Sequence, residues 1–93
     1  MSNMTEMDLV ALKSYASKLE TFISHMRKYC EDLETGITSC SNYMQDANSQ
    51  AALKKGMQVS ADIRACLNPA QQDLELVFSM IHNMEAYQND FTL

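Results

Sequence analysis

Apolar and polar positions recur every seven residues through most of this chain. In the first half, one position of the repeat reads Leu12, Leu19, Met26, Leu33, Cys40. Three residues on, the next reads Tyr15, Phe22, Tyr29, Gly36, Tyr43, and beside it runs Ala16, Ile23, Cys30, Ile37, Met44. These are the a, d and e positions of a heptad held for about five repeats, the signature of a helix with an apolar stripe. Lys13, Lys18, Glu20, Lys28, Asp32 and Glu34 fill the other face. The phase does not change across Gly36, so the helix is expected to run through it. A glycine inside a helix costs about 1 kcal/mol relative to alanine. Its place on the seam predicts that a neighbouring backbone approaches there. The ladder Tyr15, Phe22, Tyr29, Tyr43 is expected in the core; outside the hairpin seam it becomes an interface stripe, because aromatic side chains often anchor such surfaces.

The second half repeats the design. One seam position reads Leu53, Ser60, Leu67, Leu74, Ile81, Gln88; another reads Gly56, Ile63, Ala70, Val77, Met84, Phe91; a flank reads Ala52, Val59, Cys66, Asp73, Met80, Tyr87. Asn68 and Pro69 also fit the cap and first residue of a fresh helix. The unbroken phase favours one long helix kinked near Pro69, since an interior proline removes a backbone hydrogen bond. Thr5-Glu6-Met7-Asp8 opens the first helix in the manner of a capping box, and Asp46, Asn48 or Ser49 can cap the second. The predicted fold is all-α: an antiparallel hairpin of two long helices in a single domain, 1–93. Helix 1 covers about 5–43, the turn about 44–47 and helix 2 about 48–90. Residues facing each other are expected to have numbers summing to about 91, in a rod about 60 Å long. The stripe on helix 1 is wider than one partner helix covers. The hairpin is therefore expected to assemble further, as a homo- or heterodimer forming a four-helix bundle.

Composition supports this reading. Two glycines and one proline in 93 residues are too few for the many turns of a β-rich domain. The net charge is −5, and the seven Lys and Arg are scattered with none after Arg64, which argues against a nucleic-acid partner. Three cysteines without CxxC spacing suggest free, buried thiols rather than a disulfide scaffold or a zinc site. No apolar run approaches the roughly 20 residues of a membrane span. The N-terminus lacks the basic and apolar regions of a signal peptide, so the chain is expected to be made in the cytoplasm, with only a signal-independent route out of it.

Candidate chemistry is sparse. His25 and Cys66 stand at matching heights on the two arms, but the sequence offers no third ligand or oxyanion donor, so they are read as structural. His82 is read as a surface residue. No enzyme, cofactor or metal site is expected. Methionine is more suggestive, because its flexible thioether recurs at adaptable binding surfaces. Met1, Met4 and Met7 fall at the open end of the hairpin, opposite Met80 and Met84, with Tyr87 and Phe91 beyond and Glu6, Asp8, Glu85 and Asp90 around them. The expected partner-binding residues are Phe22, Tyr29, Tyr43, Met44 and Asp46 near the stripe and turn, and Met80, Met84, Tyr87 and Phe91 at the open end.

Two long helices joined by a tight turn with an aromatic, in a small acidic chain, resemble the WXG-type (ESAT-like) family of type VII secretion. The family's turn carries Trp-X-Gly or Trp-X-Asp. In Tyr43-Met44-Gln45-Asp46, Met44 and Asp46 have the Trp-X-Asp spacing and Tyr43 is the nearby aromatic; the chain has no Trp. The family's tail signal is Tyr-X-X-X-Asp/Glu, whereas here Phe91 stands at that spacing from Tyr87 and Asp90 comes one residue early. The resemblance implies a non-enzymatic partner, targeting factor or substrate of type VII secretion that pairs with a helical effector or with itself, with an export signal supplied by, or shared with, another chain. The alternative is a cytosolic helical chaperone or adaptor of another secretion or toxin system.

Overall fold

The structure, a computed structural model, describes the backbone of residues 6–91 and the side chains through Gln88. Two helices make up the fold, α1 (Glu6–Ser41) and α2 (Ala47–Phe91), joined by a short turn at 42–46. This is the all-α hairpin expected from the heptads, drawn out into a rod of 70 × 19 × 16 Å. α1 passes through Gly36 and α2 through Pro69 without interruption. Glu6 and Asp8 in the first turn of α1 suit the positive end of a helix. Thr5, Met1 and Met4 lie outside the described residues, as do the side chains of Asp90 and Phe91.

The turn forms without any residue at positive φ. α1 closes by tightening: Asn42 N donates to Ser39 O (3.3 Å), and Tyr43 N and Met44 N both donate to Cys40 O (3.0 and 2.8 Å). The hydroxyls of Thr38 and Ser41 donate back to Glu34 O and Thr38 O. Asp46 then caps α2, its carboxylate accepting from Ser49 N at 3.0 Å. Hydrogen bonds from Ser49 hold its carboxyl below the ordinary value. Gln50 Nε2 donates to Met44 O at 2.6 Å and fastens the turn to α2.

The buried residues of α1 are Leu9, Ala16, Ile23 and Cys30; those of α2 are Ser60, Leu67, Leu74, Val77 and Ile81. Facing residues add to about 90, as Cys30 and Ser60 do, so the helices run antiparallel. Leu9 lies level with Ile81, Ala16 with Leu74 and Ile23 with Leu67. Leu12, Leu19, Ala70 and Met84 pack against this core.

Three expectations are corrected here. The aromatic ladder is not core. Tyr15, Phe22, Tyr29 and Tyr43 keep 47%, 52%, 61% and 88% of their surface exposed. Small side chains decide the seam: Ala16 on α1, and Cys30 against Ser60, let the helices come together where rings would hold them apart. The flanking column of α1 therefore becomes its centre, and the ladder is turned to one side. Gly36 is the second correction: a Cβ built there meets nothing within 4 Å. The glycine that close packing uses is Gly56, where a Cβ would lie 3.0 Å from Ile37 Cδ1. The third concerns the cysteines: Cys30 is buried, but Cys40 and Cys66 are exposed, and all three are free.

Candidate partner-binding face

The two sides of the rod differ in chemistry. On one side, polar side chains tie the helices together across the seam. Lys13 Nζ lies 3.0 Å from Glu85 Oε2, and Arg27 Nη2 donates to Gln71 Oε1 at 3.4 Å. Midway, Arg64 donates to both oxygens of Glu34, at 2.8 Å from Nε and 2.9 Å from Nη2. The hydroxyl of the fully buried Ser60 donates to the same carboxylate. Cys30 Sγ contacts Ser60 O at 3.8 Å just behind. A carboxylate held by a guanidinium fork and a hydroxyl is strongly favoured in its charged form. The Arg64 and Ser60 bonds accordingly lower the Glu34 pKa from 4.5 to about 2.

This geometry sets a pH dependence. A carboxyl whose folded pKa is depressed contributes stability that is complete above its unfolded value and is lost as pH falls toward the folded one. The window here runs from about 4.5 down to about 2. Glu34→Gln is therefore expected to unfold more easily than the parent chain at pH 7, with the gap between the two closing as pH falls through that window. Thermal melts of both chains between pH 7 and pH 2 check it; a gap that stays constant would mean that the carboxylate charge contributes nothing.

On this first side Phe78 is exposed beside Arg27 and Gln71, but the other side of the rod carries the larger share of the exposed apolar surface. Tyr15, Phe22 and Tyr29 stand at seven-residue spacing on α1 and share this side with Met26 and Leu33. Across the groove, α2 brings up Val59, Ile63, Cys66 and Asp73. Phe22, Met26, Asp62, Ile63, Cys66 and Leu67 line one furrow. Two turns further along, the Tyr15 hydroxyl donates across the groove to the Asp73 carboxylate, which raises the Tyr15 pKa. The His25 ring lies 6.3 Å from Tyr29 at the outer edge of α1. His25, Cys66 and His82 are exposed. Among the described residues, no group of three or more His, Cys, Asp or Glu is placed to hold a metal ion. No described helix is long and apolar enough to cross a membrane.

The residues singled out in the sequence fall into three places. Phe22 and Tyr29 lie together on the apolar side. Tyr43 and Met44 are exposed at the tip, 88% and 51%, with Asp46 committed to capping α2. At the open end, Tyr87 is exposed, Met80 half-buried, and Met84 packed against the core. Met80 and Tyr87 continue the seven-residue column of Val59, Cys66 and Asp73, so they belong to the apolar side by register. Met7 is 76% exposed, and Glu85, expected to ring the methionines, instead pairs with Lys13. Tyr15, an interface residue once the ladder lies outside the seam, completes the apolar side with Leu33, Val59 and Cys66, which were not among the expected binding residues. Their signal was the same recurrence by seven. No family model matches the chain, and neither a curated protein nor a solved structure does.

Proposed function

We propose that the chain works by binding rather than catalysis: it is a protein–protein interaction module that buries its aromatic side against another helical chain. The observation that carries this reading is the exposed ladder Tyr15, Phe22, Tyr29 beside Val59 and Leu33, all on one side of the rod. Rings at seven-residue spacing on a helix match the way a helix or hairpin is received, with anchors one or two turns apart. The surface area points the same way. The hairpin exposes 7122 Å², whereas a compact monomer of 10.5 kDa exposes about 5,400 Å². The class of partner is taken from the resemblance of the turn sequence and the two-helix pattern to WXG-type proteins. In that reading the chain is a partner or targeting factor for a helical effector of a type VII secretion system, and the joined helices are what the export machine recognises.

The test is the double variant Phe22→Asp/Tyr29→Asp, expressed in the native host beside the parent chain. Both rings are exposed, so helical content by circular dichroism should be unchanged. The variant is expected to lose its co-purifying helical partner, and the partner or the chain itself to disappear from the culture medium. Retention of the partner by the double variant would overturn the reading. A partner that leaves the cell while this chain stays behind would replace secretion with the chaperone or adaptor role.

A further inference from the structure

We infer that the chain is made to fold back by an offset of two residues between the repeats of its two arms. This offset, more than the residues of the turn, keeps copies of the chain from exchanging arms. The inference goes beyond the binding reading and does not depend on what the aromatic side receives.

The turn itself is a weak stop. Its residues are Asn42, Tyr43, Met44, Gln45 and Asp46, and none is Gly or Pro, the two types a helix interior tolerates least. None has a positive φ. Met44 N still bonds to Cys40 O, four residues back, as it would within an α-helix. Straightening α1 into α2 therefore meets little local resistance. Exchange of an identical arm between copies is a ready route to dimers when a hinge gives way. Something other than the turn has to oppose it.

The buried columns do. In α1 the column is Leu9, Ala16, Ile23, Cys30. Continued by sevens past the turn, it reaches Ala51, Gln58, Ala65, Gln72, Ser79 and Ala86, and every one of these is exposed. The column that α2 buries is Ser60, Leu67, Leu74, Ile81, two residues further on. Run backward into α1, it falls on Asp32, His25, Lys18 and Ala11, again all exposed. At roughly 3.6 residues per turn, two residues are about 200° around a helix. In one straight helix the two buried columns would look in opposite directions.

That geometry excludes a closed pair. Two straight chains laid antiparallel meet along a single line. With the columns opposed, one α1–α2 pairing forms there and the second faces away, leaving its Leu and Ile in water. Both columns find partners only if each chain has a different neighbour on each face, and such an array has no end. The hairpin satisfies both within one chain, because the turn reverses α2 and rotates it at once. The offset also keeps the aromatic side within one chain: Phe22 and Met26 of α1 share their furrow with Ile63 and Cys66 of the same chain's α2.

Turn variants read by small-angle X-ray scattering test this, because particle length separates the states. The hairpin is a 70 Å rod, and rods paired side by side stay near that length. A straight helix over residues 6–91 is about 130 Å long. The first variant makes the turn helix-forming at unchanged length, with Asn42→Ala, Tyr43→Ala and Asp46→Ala. It is expected to remain a rod near 70 Å. A particle of about 130 Å, or an open-ended array, would mean that the turn residues set the reversal and would overturn the inference. The second variant adds deletion of Met44 and Gln45, which brings Ser60, Leu67 and Leu74 into the α1 column. It is expected to form a dimer of straight helices about 130 Å long at tens of micromolar; a rod still near 70 Å overturns the inference. The third variant deletes position 43 as well. If shortening the turn were the cause, it would straighten still more readily. Its columns are again about 100° apart, so the particle is expected to fall back to near 70 Å. A length near 130 Å in this variant would place the effect on turn length alone and overturn the inference.

Discussion

Leu74→Ala is expected to destabilise the hairpin by about 2–5 kcal/mol, enough to leave so small a core largely unfolded. Leu74 is 4% exposed. It lies level with Ala16, in the cluster that also holds Leu9, Ile23, Val77 and Ile81. Removing its side chain takes apolar area back into water and leaves a gap. Ala16 has no length with which to fill that gap, and the helices are held apart by Leu67 and Ile81 above and below. Leu76, two residues on, makes the internal control. It is 59% exposed, and Leu76→Ala is expected to change stability by no more than about 0.5 kcal/mol. Urea denaturation of the two variants separates them. Equal losses would mean that the seam is wrongly placed, because rotating α2 enough to bury Leu76 would expose Leu74.

Pro69→Ala is expected to act in the other direction, stabilising the chain by up to about 3 kcal/mol. Pro69 sits well inside α2, is exposed, and has helix on both sides. A proline there lacks the N–H that would bond to the carbonyl of Ala65, and its ring crowds that carbonyl. The seam continues regardless, with Leu67 and Leu74 both buried, so the helix bears the cost without losing its partner. Alanine restores the bond and touches nothing else. A higher unfolding midpoint in the same urea series is the expected result. No gain, or a loss, would mean that the hairpin needs the bend that proline imposes, and that packing on either side of residue 69 depends on it.

The architecture was legible because apolar side chains recur every seven residues on both arms. Leu67, Leu74 and Ile81 mark the centre of α2 in the sequence as they do in the fold. What the pattern left open is which column of a broad stripe meets the partner helix. Hydrophobicity favoured the column of Tyr15, Phe22 and Tyr29; volume decided for Ala16, Ile23 and Cys30, and volume matters only once the opposite residue is known. Ser60 in the middle of an apolar column was the visible hint. A buried hydroxyl needs an acceptor, and Glu34 supplies it. The glycines show the same limit. Gly36 and Gly56 both stand on columns that the repeat makes candidates for the seam, yet only Gly56 faces a side chain close enough to exclude a Cβ. The exposed aromatic side was legible as a stripe too wide for one neighbour, but not as a particular set of residues.

The clasp of Glu34, Ser60 and Arg64 bears on how the arms find each other during folding. A repeat of seven invites slippage, because sliding one arm by a whole repeat still sets aliphatic against aliphatic along most of the length. Only one alignment brings the thiol of Cys30 to the backbone carbonyl of Ser60 and gives Glu34 both the Ser60 hydroxyl and its guanidinium. One repeat either way, Ser60 would face Ile23 or Ile37, with Arg27 or Ser41 standing where Glu34 does, so the buried hydroxyl and Arg64 would both lose their carboxylate. The least hydrophobic rung of the ladder is thus the one that tells the chain when it has closed correctly.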